Sequence, residues 1–274
     1  MHTIEAAEAP STEGPTPRLY LMGAGVSFPD QLTLQSLEIM NTCVRICSNL
    51  PPEDLDALPE HLRSKSVSLW DTYQENRDRT DNYCDVAASV MAAAAANPPV
   101  AWLTPGHPLV FDSVSQKLLR DGRAQGWNVE VVPAISCFDT ILAEVGYDPA
   151  NGLFVYEAYS LVMAGVPLSP WVANLLLQPS AFGTDLAHYQ SEWMPDLAPL
   201  RDYLLQFFGP HQPCAFVRSR TMRGGPTNIF WCSLDQMTTV TFQSIAGSTL
   251  FIPPAEEYAP NSTDTHDVQP ETPR

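Results

Sequence analysis

Between Tyr73 and Tyr83 the chain reads Tyr-Gln-Glu-Asn-Arg-Asp-Arg-Thr-Asp-Asn-Tyr, which sets two phenols and two guanidiniums just before an apolar, Ala-rich stretch. A phenol in water loses its proton near pH ~10, and a fixed Arg cation beside it in a partly dry cleft lowers that value by favouring the phenolate. Such a phenolate can take a reluctant proton. Further on comes Trp102-Leu103-Thr104-Pro105-Gly106-His107-Pro108, a strand end running into a tight Gly-Pro turn. The spacing thus brings a base near a candidate ligand loop.

Other turns offer chemistry or plain architecture. Leu19-Tyr20-Leu21-Met22-Gly23-Ala24-Gly25 reads as a strand ending in two glycines. It is either a simple strand-end turn or a place where backbone approaches a ligand at the C-terminal edge of a sheet. The third glycine of the dinucleotide fingerprint would fall at Phe28, and Phe28-Pro29-Asp30 is turn sequence, which disfavours NAD. The phosphate-loop pattern of nucleotide triphosphatases does not occur. His107 either faces a cofactor or holds its own turn. Ser136, in Pro133-Ala134-Ile135-Ser136-Cys137, either caps a helix or touches a ligand. Arg218, Arg220 and Arg223, beside Gly224-Gly225, could hold a carboxylate-rich partner or line a solvated edge strand. The six tryptophans, Trp70, Trp102, Trp127, Trp171, Trp193 and Trp231, read as core or lobe-interface packing.

Composition bounds the function. The 274 residues suffice for one large domain or two α/β lobes, and with 45% hydrophobic and only 16% charged residues much of the chain is meant for burial. Thirty-one acidic against fourteen basic residues give a net charge of −17, which repels a phosphate backbone, so no nucleic acid partner is expected. Lys65 and Lys117 are the lysines, and the other cations are Arg, the residue suited to permanently charged, planar roles. Six scattered cysteines, with no C-x-x-C pair, read as packed reduced thiols rather than a metal site. The first seventeen residues have neither a basic start nor an apolar run, so no membrane partner and a cytoplasmic setting are expected. On that reading the Asn261-Ser262-Thr263 sequon carries no glycan.

Two polar ends, 1–17 and 255–274, lack the apolar residues to order themselves. Between them strands are expected at 19–22, 44–47, 100–103 and 129–132. They alternate with helices at 32–40, 81–96, 113–125 and 136–145, a pattern that implies a parallel sheet with crossovers. The loop Gly146-Tyr147-Asp148-Pro149-Ala150-Asn151-Gly152 separates a first lobe, 18–150, from a second, 151–254. The second reads as more β-rich, with strands at 153–156, 171–177, 214–217, 229–232 and 250–252 and a helix at 197–208.

Read in order, the Gly-Ala-Gly turn and Leu32-Thr33-Leu34, Gly106-His107-Pro108, Pro133-Ala134-Ile135-Ser136, Tyr156-Glu157-Ala158 and Thr249-Leu250-Phe251-Ile252-Pro253-Pro254 resemble the tetrapyrrole methylase superfamily over residues 18–254. Within it, Arg79-Thr80-Asp81-Asn82-Tyr83 resembles the Arg-x-Asp-x-Tyr motif of the borosin peptide-backbone α-N-methyltransferases, and Tyr73 falls where they carry a second tyrosine. Pro105 departs from the pattern, since borosin enzymes tend to carry a Tyr there.

The resemblance implies a two-lobed α/β fold with a mostly parallel first sheet, a mixed second sheet and S-adenosylmethionine in the interlobe cleft. It places Gly23, Gly25, Pro105, Gly106, His107, Ile135, Ser136, Tyr156 and Gln178 at the cofactor. An amide nitrogen is a poor nucleophile until its proton leaves and charge gathers on oxygen. Tyr73 is accordingly the candidate base, Arg79 the cation that lowers its pKa and steadies the imidate, and Tyr83 a donor to the amide oxygen. Fused borosins carry an apolar, β-branched substrate near the C-terminus, whereas residues 255–274 have only Val268 of that kind. The resemblance therefore implies a separate precursor peptide, in trans, and a homodimer. A small-molecule or tetrapyrrole methyltransferase, or an inactive peptide-binding scaffold, are the competing readings.

Overall fold

The computed structural model describes residues 16–188, 193–221 and 228–255. Residues 1–15, Arg223, Gly224-Gly225, and the tail beyond 255 with the sequon and Val268 lie outside the described residues. The chain divides into two compact units, the first reaching Cys137 and the second beginning at Phe138.

The first unit holds, in chain order, β1 (Arg18–Gly23), α1 (Leu34–Thr42), β2 (Arg45–Ser48), the single turns α2 (Pro52–Leu55) and α3 (Glu60–Arg63), β3 (Ser66–Ser68), α4 (Arg79–Ala96), β4 (Val100–Thr104), α5 (Ser113–Ala124) and β5 (Asn128–Val132). Its five strands are parallel, in the order β3-β2-β4-β1-β5. Helices cover both faces, so β4 is apolar on both sides and buried throughout. Tyr20, Met22, Ala101 and Leu103 pack towards Met40 of α1, while Leu19, Leu21, Val100 and Trp102 pack towards Val86 and Val90 of α4 and Leu118 of α5. That alternation is the period of two that a strand imposes.

Three helices of the first unit start at side-chain caps. Thr33 caps α1 by accepting from Ser36 N, Asp78 caps α4 by accepting from Thr80 N at 2.7 Å, and Asp112 caps α5 by accepting from Ser115 N at 2.9 Å. α4 stops at Asn97, ahead of Pro98-Pro99, which cannot continue it.

In the second unit α6 (Cys137–Val145), which begins at the boundary, is followed by β6 (Leu153–Glu157), α7 (Ala158–Ala164), β7 (Ala173–Leu177), α8 (Ala198–Leu204), β8 (Pro213–Arg218), β9 (Asn228–Ser233), α9 (Phe242–Ile245) and β10 (Thr249–Ile252). The sheet order is β6-β7-β10-β8-β9, with β6 and β7 parallel and the other pairs antiparallel. Its own core gathers Leu161, Leu200, Leu204, Phe216, Leu250 and Ile252. α7, absent from the sequence reading, follows β6 without a loop because Glu157 caps it with both carboxylate oxygens, at 3.0 Å from Tyr159 N and 2.7 Å from Ser160 N. Among the described residues no helix is long and apolar enough to cross a membrane.

Candidate active site

The first unit's sheet presents all its strand ends at one edge, and two neighbouring strands there send the chain to opposite faces. From β1 it turns to α1 on the Met40 side, and from β4 to α5 on the Leu118 side. Divergence of that kind opens a crevice at the C-terminal ends of the strands, where open α/β sheets hold ligands.

Gly23, Gly25 and Gly106 meet at this point. Gly25 N donates to Gly106 O at 3.2 Å and Gly106 N returns the bond to Gly25 O at 2.8 Å, while Ala24 N donates to Thr104 O at 2.7 Å. A side chain at Gly23 would strike Gly106 O at 2.2 Å and Ala134 Cβ at 2.5 Å, so only glycine lets the three strand ends close together. Gly106, at φ +68, is different: an added Cβ would meet nothing within 4 Å, which leaves its outer side open to a ligand. The two loops therefore fit a group that needs close backbone approach.

Nearby positions divide in role. His107 Nδ1 accepts from Leu109 N at 3.0 Å, so the imidazole holds its own turn. Pro105 and Ile135 are exposed, and Ser136 is buried immediately before α6. Tyr156 and Gln178 belong to the second unit. Tyr156 lies in β6, opposite Leu176 of β7 and stacked on Phe154 at 5.9 Å, and Gln178 follows β7 in left-handed backbone at φ 54.

The phenol set lies in the first unit. Tyr73 follows the 3-10 turn Trp70–Thr72, and its ring meets Tyr83 edge-on at 6.3 Å and Trp70 at 6.4 Å. Arg79 is the first residue of α4, half-buried, and four residues before Tyr83, which puts both on one face of the helix. The two tyrosines and the arginine are thus gathered by one turn and one helix start.

Sequence reasoning expected an Arg to lower the Tyr73 pKa, and the structure reverses the sign. Burial pushes the phenol well above its ordinary range, with Asp112 and Tyr83 adding to the rise, and the opposing pull is a hydrogen bond from the Asn49 side chain. At neutral pH Tyr73 is a neutral phenol.

Three residues that the sequence reading did not single out complete the site. Asn82, fully buried, accepts from Gln74 N at 3.1 Å and donates from Nδ2 to Gln74 O at 3.0 Å, which clamps the loop carrying Tyr73 onto α4. Its register with Val86 and Val90, four and eight residues on, was the available signal. Asp112 caps α5 and accepts from Ser115 Oγ at 2.9 Å, while Ser115 Oγ also takes the Trp102 indole N–H at 3.0 Å. Asn49 stands just past β2 at the same sheet edge, and nothing in its sequence context marked it. Beside them, Trp70 and Phe111 are about two-fifths exposed, and Phe111 holds φ 56, a region that bulky residues rarely enter.

The Arg cluster is partly neutralised. Arg218 ends β8, an inner strand rather than an edge, and Arg220 lies 3.8 Å from the Glu144 carboxylate, which also accepts from Arg220 N.

The profile of the family described as Tetrapyrrole (Corrin/Porphyrin) Methylases matches residues 18–235. A methyltransferase/ribosomally synthesized type III borosin cyclic peptide precursor from Anomoporia bombycina is 24% identical over 262 residues, covering 92% of this chain and 30% of that protein. A type I borosin precursor from Gymnopilus junonius is 23% identical over 277 residues, covering 95% of this chain and 65% of that protein. The chain spans between about a third and two-thirds of the length of these curated relatives. Among solved structures, uroporphyrin-III C-methyltransferase from Thermus thermophilus complexed with S-adenosyl homocysteine superposes with a TM-score of 0.56 at 18% identity, covering 86% of this chain and 92% of that one. It shares the fold.

Proposed function

The chain belongs to the tetrapyrrole methylase family, and on that premise we propose that it is an S-adenosylmethionine-dependent methyltransferase acting on backbone amide nitrogens of a separate precursor peptide. The observation that carries the reading is the gathering of Tyr73 and Tyr83 with Arg79 beside the sheet edge where Gly25 and Gly106 bind each other. The borosin relatives add weight to a peptide acceptor, as do the exposed rings of Trp70 and Phe111, which suit an apolar one.

In this reading the glycine loops of the first unit, with Pro105, His107, Ile135 and Ser136, hold S-adenosylmethionine. When bound, it supplies an electrophilic methyl group beside a positive charge. The protein's own residues do the rest. Tyr83 donates to the amide oxygen, Arg79 steadies the charge that collects there, and Tyr73 takes the amide proton. Because burial keeps Tyr73 protonated at rest, its ionisation waits for positive charge to enter the site, which ties base formation to donor binding. Homodimerisation and a cytoplasmic setting belong to the same proposal.

The test is calorimetry with S-adenosylmethionine, then incubation with Val- and Ile-rich peptides and tandem mass spectrometry. Binding with methyl mass on backbone nitrogen is expected. A folded sample that binds no donor would remove the enzyme altogether. Methylation of a porphyrinoid, with the peptides untouched, would transfer the proposal to the small-molecule reading.

A further inference from the structure

The second unit carries a pair of thiols that the methyl-transfer reading does not use. Cys214 and Cys232 are direct partners in the β8/β9 ladder, and their sulfurs lie 3.6 Å apart. Cys214 is fully buried in the core, whereas Cys232 is only partly buried, on the edge strand β9. The asymmetry extends to their protons: the hydrogen bond between the sulfurs raises the Cys214 thiol and lowers Cys232 below the ordinary thiol range, with the nearby Asp235 carboxylate working against thiolate formation at both. An accessible thiol backed by a buried second thiol within contact is the anatomy of a peroxide-reacting pair, in which one sulfur attacks and the other resolves.

We propose that Cys214 and Cys232 form an oxidisable dithiol site whose co-reactant is a hydroperoxide. The Cys232 thiolate attacks the distal peroxide oxygen. The O–O bond breaks, alkoxide or hydroxide leaves and takes a proton, and Cys232 becomes a sulfenic acid. The Cys214 sulfur then attacks the Cys232 sulfur, the S–O bond breaks, and the hydroxyl departs as water with the Cys214 proton. Two thiols lose two electrons and two protons to one peroxide, and the new S–S bond staples the edge strand β9 to β8. Closing the bond requires the sulfurs to approach to ~2.05 Å, a short movement for side chains already in contact.

The full chain is treated with hydrogen peroxide at near-stoichiometric levels, remaining thiols are alkylated, and a digest is read by mass spectrometry. The expected result is a Cys214–Cys232 linked peptide that forms before Cys84 or Cys137, the other partly buried thiols, are modified, and that dithiothreitol reverses. In Cys214→Ser, a dimedone-trappable sulfenic acid should accumulate on Cys232, while in Cys232→Ser the reaction of Cys214 should slow at least tenfold. Oxidation of Cys84 or Cys137 at an equal or greater rate in the wild-type protein would overturn the proposal, as would overoxidation of Cys232 without the linked peptide. Because the wild-type measurement stands alone, poor folding of either variant leaves the proposal open to refutation.

Discussion

At the scale of single residues, the site turns on how Tyr73 is ionised. Its phenol is raised by burial, and Asn49 supplies the hydrogen bond that pulls it back. If Tyr73 is the base, methyl transfer should keep climbing with pH through the alkaline range in which the fold survives, because only the ionised fraction reacts and burial holds the phenol above its ordinary range. Tyr73→Phe should reduce kcat by about 10²–10⁴ and flatten that climb. Asn49→Leu removes a donor to the phenolate, so it should move the rising limb to higher pH while leaving donor binding by calorimetry unchanged. A pH–rate profile of Asn49→Leu that superposes on the wild type would take Asn49 out of the mechanism. If Arg79 acts, as proposed, on charge that exists only in the transition state, Arg79→Ala should keep the donor's Kd and lose about 10²–10³ in kcat. Retained turnover would dismiss it.

At the scale of elements, the placement of Tyr73 depends on a loop fastened at one point. Asn82 satisfies both the N–H and the carbonyl of Gln74 from inside α4. Asn82→Leu leaves those two groups unpaired at a cost of about 1–3 kcal/mol, and it should lower kcat more than it changes donor affinity. Thermal melts and kinetics together check this, and a variant that is destabilised but fully active would show that the clamp serves folding alone. Much of this architecture was legible in the sequence, for identifiable reasons. β1 and β4 are short apolar runs closed by glycine or proline turns, and the helical patterns at 81–96 and 113–125 fall within two residues of α4 and α5, whose caps Asp78 and Asp112 the sequence reading did not name. The helix expected at 197–208 ends instead at Leu204, since Gln206 N and Phe207 N bond three residues back and tighten the chain into turns. α2, α3 and α9 are single turns, too short for any periodicity to register. The Tyr73, Arg79 and Tyr83 spacing was visible because one turn and one helix start carry all three. Asn49 was not, because it reaches Tyr73 only through the neighbouring strand β2.

At the scale of the molecule, two cores formed by separate stretches of chain share a surplus of seventeen negative charges. Alkaline pH adds to that repulsion, and the first unit has a further sensitivity of its own. Cys43 and Cys47 are buried on either side of its sheet, and desolvation raises each thiol from 9.0 to about 11. A folded-state pKa above the unfolded one means that the native state holds the proton more tightly. This stabilisation is therefore complete below pH ~9 and is lost as pH rises through about 11. Each thiol contributes on the order of 1–2 kcal/mol to that loss. Net repulsion would also lower the melting temperature with pH, so the difference between proteins is what separates the two causes. Cys43→Ala/Cys47→Ala should start less stable because of the cavities it leaves, yet lose stability more gradually between pH 9 and 11 than the wild type, as read by urea denaturation at successive pH values. Parallel slopes would mean that the buried thiols ionise as easily in the folded protein as in the unfolded chain, and that charge repulsion alone governs the alkaline limit.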